Sequence, residues 1–199
     1  RDDALLRGDG AELAAELGRL DTLVSNDHYP ADHAGLTGGA PESLRRTLEA
    51  LVVQPFARLQ AVLPLLRGST SANVVVVNSN RSKLPVCGGC IPDAARDAMN
   101  ALVASWAKEL APEGIVVNAV APNYFYSEAY YPRACFLDDP QGRRFVADTV
   151  PVGRLGEDAE MGELIQFLGT LRSRFTTGAV VDFAGGWPVA MNMDTWPAK

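Results

Sequence analysis

The chain alternates continuous apolar runs with segments in which apolar residues recur every three or four positions. The continuous runs are DTLVSN from Asp21, NVVVVNS from Asn73, GIVVNAVAP from Gly114 and GAVVDFAGG from Gly178. Short apolar runs without alternation are typical of strands that a parallel sheet buries on both faces. The pattern therefore predicts four buried strands.

The segments with three- and four-residue apolar spacing predict amphipathic helices between these strands. They cover residues 11–19, 42–66, 92–110 and 160–171. The second helix is expected to bend at Pro55, because proline removes a backbone hydrogen bond inside a helix. The stretch after Pro122 shows no helical or strand period and is predicted to be irregular.

The order of strands and helices predicts the fold class. Each of the first three strands is followed by a helical crossover, which is the arrangement that builds parallel sheets. We therefore expect an α/β fold, a doubly wound parallel sheet with helices on both faces, in a single domain over residues 1–199.

Composition and charge limit the partners and the cell compartment that we expect for this protein. Twenty-four acidic and eighteen basic residues give a net charge of -6, and the basic residues are scattered, so no nucleic-acid partner is expected. No segment approaches about 20 consecutive apolar residues, so no membrane partner is expected. The absence of a secretory or transit pattern, together with only three cysteines, favours a cytoplasmic protein.

Several motifs together resemble the short-chain dehydrogenase/reductase superfamily over nearly the whole chain. They are LDTLVSND, VVVVNS with its serine at a strand end, ELAPEGIVVNAVAPN and GAVVDFAGGW. Finer details, SNDHYP, ARDAMNALVAS and APNYFYSEAYYP, resemble the halohydrin dehalogenase branch, in which arginine stands where reductases have lysine. The resemblance implies a Rossmann-like fold and a carbon–halogen lyase that converts vicinal halohydrins to epoxides and halide.

The sequence departs from the superfamily at its start. Only about twenty residues precede DTLVSN, and they contain neither G-x-G-x-x-G nor G-x-x-x-G-x-G. We therefore expect the domain to be N-terminally truncated relative to the family, without the N-terminal Gly-rich βαβ part. No cofactor is expected, and redox chemistry is disfavoured. The first strand would then be an apolar sheet edge, which either further residues or a partner would have to cover.

The family's reacting set is serine, tyrosine thirteen residues later and arginine four beyond that. The resemblance implies that Ser79 and Arg96 are catalytic, and the tyrosine position between them is Pro92. Proline cannot accept a proton, so ordinary proton abstraction is expected to be absent or severely weakened. Asp93 and His28 are the nearest substitute bases, and both are expected to be poor ones.

Ser79 and Arg96 also have ordinary structural interpretations, as a strand-end hydroxyl and a surface ion-pair partner. The segment Pro122, Asn123, Tyr124 and Phe125 is predicted to form a halide and substrate pocket with exposed backbone amides, and plain loop packing explains it equally well. The C-x-x-C pair in CGGC has no partner pair at a suitable spacing, so no metal site is expected.

Two functions of different classes remain. The first is a halohydrin dehalogenase-like lyase acting on a small halohydrin or epoxide, or on a small anion. The second is a catalytically lapsed relative with a binding or assembly role, in which Ser79 and Arg96 would not face a common cavity. Under either function we expect a homo-oligomer, a dimer or tetramer, formed through the helices at 42–66 and 92–110.

Overall fold

The computed structural model describes residues 18–188 and contains one parallel sheet in that range. The strands are β1 (Thr22–Asn26), β2 (Asn73–Val77), β3 (Val116–Pro122) and β4 (Val180–Phe183). They lie side by side in chain order, and every neighbouring pair is parallel. The predicted α/β class with a parallel sheet is confirmed. The predicted helix at 11–19 lies largely outside the described residues.

The β-branched run of β2 packs on both faces of the sheet, as its sequence predicted. Val74 and Val76 belong to one apolar cluster, and Val75 belongs to another on the opposite side. Because side chains alternate along a strand, these two clusters are the two layers beneath the helices.

The first crossover is a long helix, α1 (Pro41–Arg67), whose winding changes along its length. It is α-helical over Pro41–Leu48, π-helical over Glu49–Val53 and α-helical again over Gln54–Arg67. The π-helical segment ends two residues before Pro55, which has no amide proton to donate within the helix. The bend expected at Pro55 stays a prediction.

By length and composition alone, α1 is long and apolar enough to cross a bilayer, contrary to the expectation that no segment would be. Its side chains Leu59, Val62 and Leu66 pack into the core cluster on the sheet. The helix is therefore an integral part of the α/β layers, and its apolar character also serves that packing.

The other α-helices of eight or more residues in the described range are α2 (Cys90–Leu110), α3 (Pro140–Thr149) and α4 (Asp158–Gly169). One short α-helical turn, Gly35–Gly38, precedes α1, and 3-10 turns lie at Arg81–Lys83 and Ala111–Glu113. The helices α1 and α2 cover one face of the sheet, and α4 covers the other through Met161 and Leu168. The predicted helices at 92–110 and 160–171 are found within two residues of their expected bounds.

The expectation of an irregular stretch after β3 is wrong in part. The segment after Pro122 contains a π-helical turn at Ala134–Asp138 and then α3. The start of α3 has local signals that the period analysis missed: the Asp139 carboxylate accepts a hydrogen bond from the Gly142 amide at 3.0 Å, and Pro140 occupies the first turn. Val146 and Val150 anchor this helix in a third apolar cluster.

Candidate active site

A cavity of about 710 Å³ opens at the carboxyl ends of β1, β2 and β3. All six sequence-predicted site residues line this cavity, namely Ser79, Arg96, Pro122, Asn123, Tyr124 and Phe125. Carboxyl ends of parallel strands are where open α/β sheets bind ligands, and the volume suits a small molecule. The fold thus brings together residues from β2, α2 and the segment after β3.

Ser79 follows β2 directly, so its side chain stands at the sheet's carboxyl edge. Its hydroxyl donates to the Pro122 carbonyl oxygen at 3.2 Å and accepts from the Arg81 amide, also at 3.2 Å. The hydroxyl is half-buried in the cavity wall. It can therefore satisfy loop groups in the absence of a ligand and turn its proton toward one.

Arg96 lies on the second turn of α2 and points toward the end of β1. Its guanidinium donates to the Asp27 carbonyl oxygen and to the Asn78 amide oxygen, each at 3.4 Å. Burial lowers the pKa of Arg96, and interactions with Tyr130 and Asp27 oppose that lowering. The cavity therefore holds a desolvated positive charge whose hydrogen bonds are long.

Two asparagines that sequence reasoning missed hold this part of the site together. The Asn78 amide nitrogen donates to the Arg96 carbonyl at 2.7 Å and to the Asn100 side chain at 2.6 Å. Asn100 in turn donates to the Ser79 carbonyl at 3.2 Å. The only sequence signal was an asparagine directly after a buried strand, where an amide has unpaired backbone groups within reach.

The position that the resemblance assigns to tyrosine is confirmed as a buried helix-start proline. Pro92 lies in the first turn of α2, where its missing amide is tolerated, and it lines the cavity. Its neighbour Asp93 is buried and forms an ion pair with Arg81. Because its carboxylate is engaged with a cation, Asp93 is unsuitable as a substitute base.

A tyrosine from a distant part of the chain lines the same cavity as the arginine. Tyr130, in the segment after β3, is close enough to the Arg96 guanidinium to oppose the lowering of the Arg96 pKa by burial. Its hydroxyl lies 3.2 Å from His28 Nδ1 and 3.2 Å from the Tyr29 carbonyl oxygen. Sequence reasoning missed Tyr130 because 102 residues separate it from His28, and no local pattern predicts contacts at that range.

The wall after β3 is aromatic and tightly packed. Tyr124 has a left-handed backbone with φ of 49°, which is uncommon for a residue with a side chain. Its ring lies 5.4 Å from that of Tyr131 and 5.6 Å from that of Trp187, measured between centroids. Packing on both rings holds this unusual conformation in place.

The prediction of three exposed amides in this wall is wrong for two of them. The Asn123 amide donates to the Phe183 carbonyl at 3.1 Å, and the Tyr124 amide donates to the Asn123 side chain at 3.0 Å. The Asn123 amide takes part in the pairing of β3 with β4, and the Tyr124 amide is bonded within the turn that follows β3. These amides are therefore already satisfied without an anion.

A second tyrosine of this segment, Tyr131, has its hydroxyl buried in the cavity wall. Its hydroxyl donates to the Asn123 side-chain oxygen at 2.8 Å. Burial, and then the neighbouring Tyr124, raise the pKa of Tyr131 to about 12. Tyr131 therefore stays protonated at neutral pH and serves as a donor that fixes Asn123.

The described residues lack the glycine spacing that binds a dinucleotide pyrophosphate at a helix N-terminus. Gly38 and Gly39 precede α1, and Gly88 and Gly89 precede α2, but neither segment has the spacing G-x-G-x-x-G or G-x-x-x-G-x-G. The turn after β3 places Tyr124 and Phe125 in the cavity wall. Between residues 18 and 188, no three His, Cys, Asp or Glu side chains gather to hold a metal ion, and Cys87 and Cys90 are exposed free thiols.

Known proteins resemble this chain along most of its length. The family model described as enoyl-(acyl carrier protein) reductase matches residues 3–188. The uncharacterized oxidoreductase YmfI of Bacillus subtilis is 28% identical over 187 residues, covering 89% of this chain and 75% of that protein. The cyclohexanol dehydrogenase of Rhodococcus sp. is 30% identical over 187 residues, and the match covers 88% of this chain and 65% of that protein.

Solved structures add a second group of relatives. A dehalogenation enzyme is 37% identical with a TM-score of 0.83, covering 90% of this chain and 74% of that one. A halohydrin dehalogenase bound to ethyl (2S)-oxiran-2-ylacetate is 32% identical with a TM-score of 0.85, covering 94% and 75%. From its sequence, its fold and these relatives, the chain belongs to the short-chain dehydrogenase/reductase superfamily, with halohydrin dehalogenases among its structural neighbours.

Proposed function

We propose that this protein is a carbon–halogen lyase of the halohydrin dehalogenase type, which converts small vicinal halohydrins to epoxides and halide. One observation carries the proposal: Ser79, Arg96 and the segment 122–125 line a single cavity. A lapsed relative that kept only the fold was expected to separate Ser79 from Arg96. The dehalogenation enzyme and the halohydrin dehalogenase among the structural neighbours support the same reaction class.

Ser79 would hold the substrate oxygen. Its hydroxyl proton now points to the Pro122 carbonyl at 3.2 Å, and rotation about one bond would redirect it into the cavity. A hydrogen bond from Ser79 to the substrate hydroxyl oxygen stabilises the alkoxide that forms when the proton leaves.

Arg96 would stabilise the same developing charge. Its guanidinium is largely desolvated and its present hydrogen bonds are 3.4 Å long, so a negative substrate oxygen is a stronger partner than its present carbonyl acceptors. The alkoxide then attacks the neighbouring carbon, the carbon–halogen bond breaks, and the halide leaves with the electron pair.

The aromatic wall would receive the leaving group. Phe125 and Tyr124 border the cavity beside Pro122 and keep bulk water away from one side of the substrate. An alkoxide in such an environment reacts with the adjacent carbon before it is reprotonated.

The proposal is tested by halide release from a small chlorinated or brominated vicinal halohydrin. We expect release by the unmodified protein and a loss of about 10²- to 10³-fold in kcat for Ser79→Ala, the range seen when one donor to a developing oxyanion is removed. Ser82→Ala is the matched control, because Ser82 bonds to Asp97 and does not line the cavity.

Three results would contradict the proposal. Equal halide release by the unmodified protein and by Ser79→Ala would contradict the role proposed for Ser79. Silence of the unmodified protein together with release by Pro92→Tyr would identify a lapsed enzyme with a binding role. Oxidation of an alcohol with a bound dinucleotide would place the protein with the reductases.

A further inference from the structure

We propose that Tyr130 replaces the missing helix tyrosine as the proton acceptor, and that it passes the proton to His28. This inference rests on the proposed lyase function. It assigns a role to two residues, one after β1 and one after β3, that meet over the cavity only in the folded chain.

The contact between the two side chains has the geometry of a proton relay. The Tyr130 hydroxyl oxygen lies 3.2 Å from His28 Nδ1, within hydrogen-bond reach. The rings meet edge to face, with centroids 5.5 Å apart and an interplanar angle of 70°. His28 is exposed and Tyr130 is 40% exposed, so a proton that reaches the imidazole can continue to solvent.

Arg96 connects this pair to the reacting centre. Tyr130 and Arg96 line the same cavity, and Tyr130 is close enough to the guanidinium to oppose the lowering of the Arg96 pKa by burial. A tyrosine near this arginine is also what the family resemblance implies. The guanidinium stabilises negative charge on the phenol oxygen as the Tyr130 proton leaves for His28 and the substrate proton replaces it. The arginine therefore keeps its partner type, although the partner comes from another segment.

The other titratable groups around the cavity are less suited to accept the proton. The Asp93 carboxylate is paired with Arg81, and the Asp27 carboxylate is paired with Arg58. The raised pKa of Tyr131 keeps it protonated. The remaining titratable groups that line the cavity are Tyr29, His33, Tyr124 and Asp158. Among the described residues, the side chains of these four make no hydrogen bond to Arg96 or Tyr130, whose side-chain bonds go to Asp27, Asn78, His28 and the Tyr29 carbonyl.

The proposed step balances without a further reactant. The substrate O–H bond breaks and its proton binds the Tyr130 oxygen, while the Tyr130 proton moves to the unprotonated Nδ1 of His28. The substrate becomes an alkoxide, Tyr130 remains neutral and His28 becomes an imidazolium. The alkoxide closes the epoxide and expels halide, and His28 then releases its proton to water.

The relay requires one of two alternative hydrogen-bond arrangements. The Tyr130 proton can point to His28 Nδ1 or to the Tyr29 carbonyl, each 3.2 Å away. Only the first arrangement, with the imidazole proton on Nε2, lets His28 accept. The tautomer of His28 is therefore a direct test that does not depend on turnover.

The kinetic test compares Tyr130→Phe with Tyr126→Phe. We expect Tyr130→Phe to lower kcat about 10²- to 10⁴-fold with little change in KM, the range for loss of a positioned acid or base. Tyr126→Phe is the control, because its hydroxyl bonds to Glu128 and its side chain does not line the cavity. Circular dichroism of each variant checks that the fold is retained.

The variant His28→Gln tests the second half of the relay. We expect it to lower kcat about 10²- to 10⁴-fold with little change in KM, because the proton that leaves Tyr130 then has no imidazole to accept it. Unchanged kcat in His28→Gln would overturn the relay.

The outcomes separate this inference from the lyase proposal. Loss of halide release in Ser79→Ala with full release in Tyr130→Phe would overturn the relay and leave the lyase standing. If the unmodified protein releases no halide, the lyase proposal and the relay fall together. A nitrogen-15 NMR spectrum that places the His28 proton on Nδ1 would overturn the relay whether or not the protein is active.

Discussion

The three residues that follow β2 differ in their surroundings and hydrogen bonds. Asn78 is 4% exposed and its side chain joins β2 to α2 through the Arg96 carbonyl and Asn100. Ser79 faces the cavity. Asn80 is 1% exposed, and within residues 18–188 its side-chain amide has no hydrogen-bond partner. Burial alone therefore does not distinguish the two amides. Their hydrogen bonds do, because only the Asn78 side chain joins two elements of the fold.

We expect Asn78→Ala to lower the free energy of unfolding by about 1–3 kcal/mol, because it leaves buried partner groups unsatisfied. It should also lower kcat, because the amide links Arg96 to the Ser79 strand end. Urea denaturation and halide release measure the two effects.

Asn80→Ala is the matched control at the same strand end. It removes a side chain of the same size without breaking a hydrogen bond among the described residues, so its effect on stability should be smaller. Equal destabilisation by both substitutions would show that packing, and not the Asn78 network, is the cause.

The elements differ in how far local sequence determines them. The four strands and the helices α1, α2 and α4 were predictable, because apolar spacing reports the face that an element buries. The helix α3 was missed because its start depends on Asp139 and Pro140 rather than on a clear period. The contact of Tyr130 with His28 was not predictable, because it depends on where two loops meet.

The start of α4 depends on a capping box that includes an ion pair. Glu160 accepts from the Glu157 amide at 2.9 Å and pairs with Arg154 at 2.7 Å. The Arg154 bond, and then the Glu157 amide, lower the pKa of Glu160 to about 2. A lowered carboxylate pKa contributes stability above its unfolded value of 4.5, and that contribution is lost as pH falls toward about 2.

We therefore expect Glu160→Gln to flatten the loss of stability on acidification between those pH values. The effect should shrink in high salt, since the pair is exposed. Glu163→Gln, an exposed position on the same helix, is the control. Urea denaturation across the acid range measures the slopes, and identical slopes for Glu160→Gln and the unmodified protein would contradict the assignment.

At the scale of the whole molecule, α1 presents apolar side chains away from the sheet. Val53 is 47% exposed and Phe56 is 39% exposed. Phe56 also lies against Trp106 of α2, with ring centroids 6.1 Å apart. We propose that this surface joins a second copy of the chain, as the sequence led us to expect of these two helices.

We expect the unmodified protein to sediment as a dimer or tetramer. Val53→Glu should sediment as a smaller species, because association would bury the new carboxylate between two copies and remove its hydration. Phe175→Glu is the control, since Phe175 is fully exposed on a different segment. Sedimentation equilibrium decides, and a monomeric unmodified protein would contradict the proposal.

The place of Tyr130 outside any helix has a consequence for how such a protein diversifies. A tyrosine on α2 would be fixed by a scaffold that tolerates little change, whereas segments connecting strands and helices accept insertions and substitutions readily. In this chain the proposed proton acceptor and the aromatic wall of the cavity occupy one stretch, residues 122–131. A single remodelled loop could therefore alter both which compound is accepted and how fast it reacts.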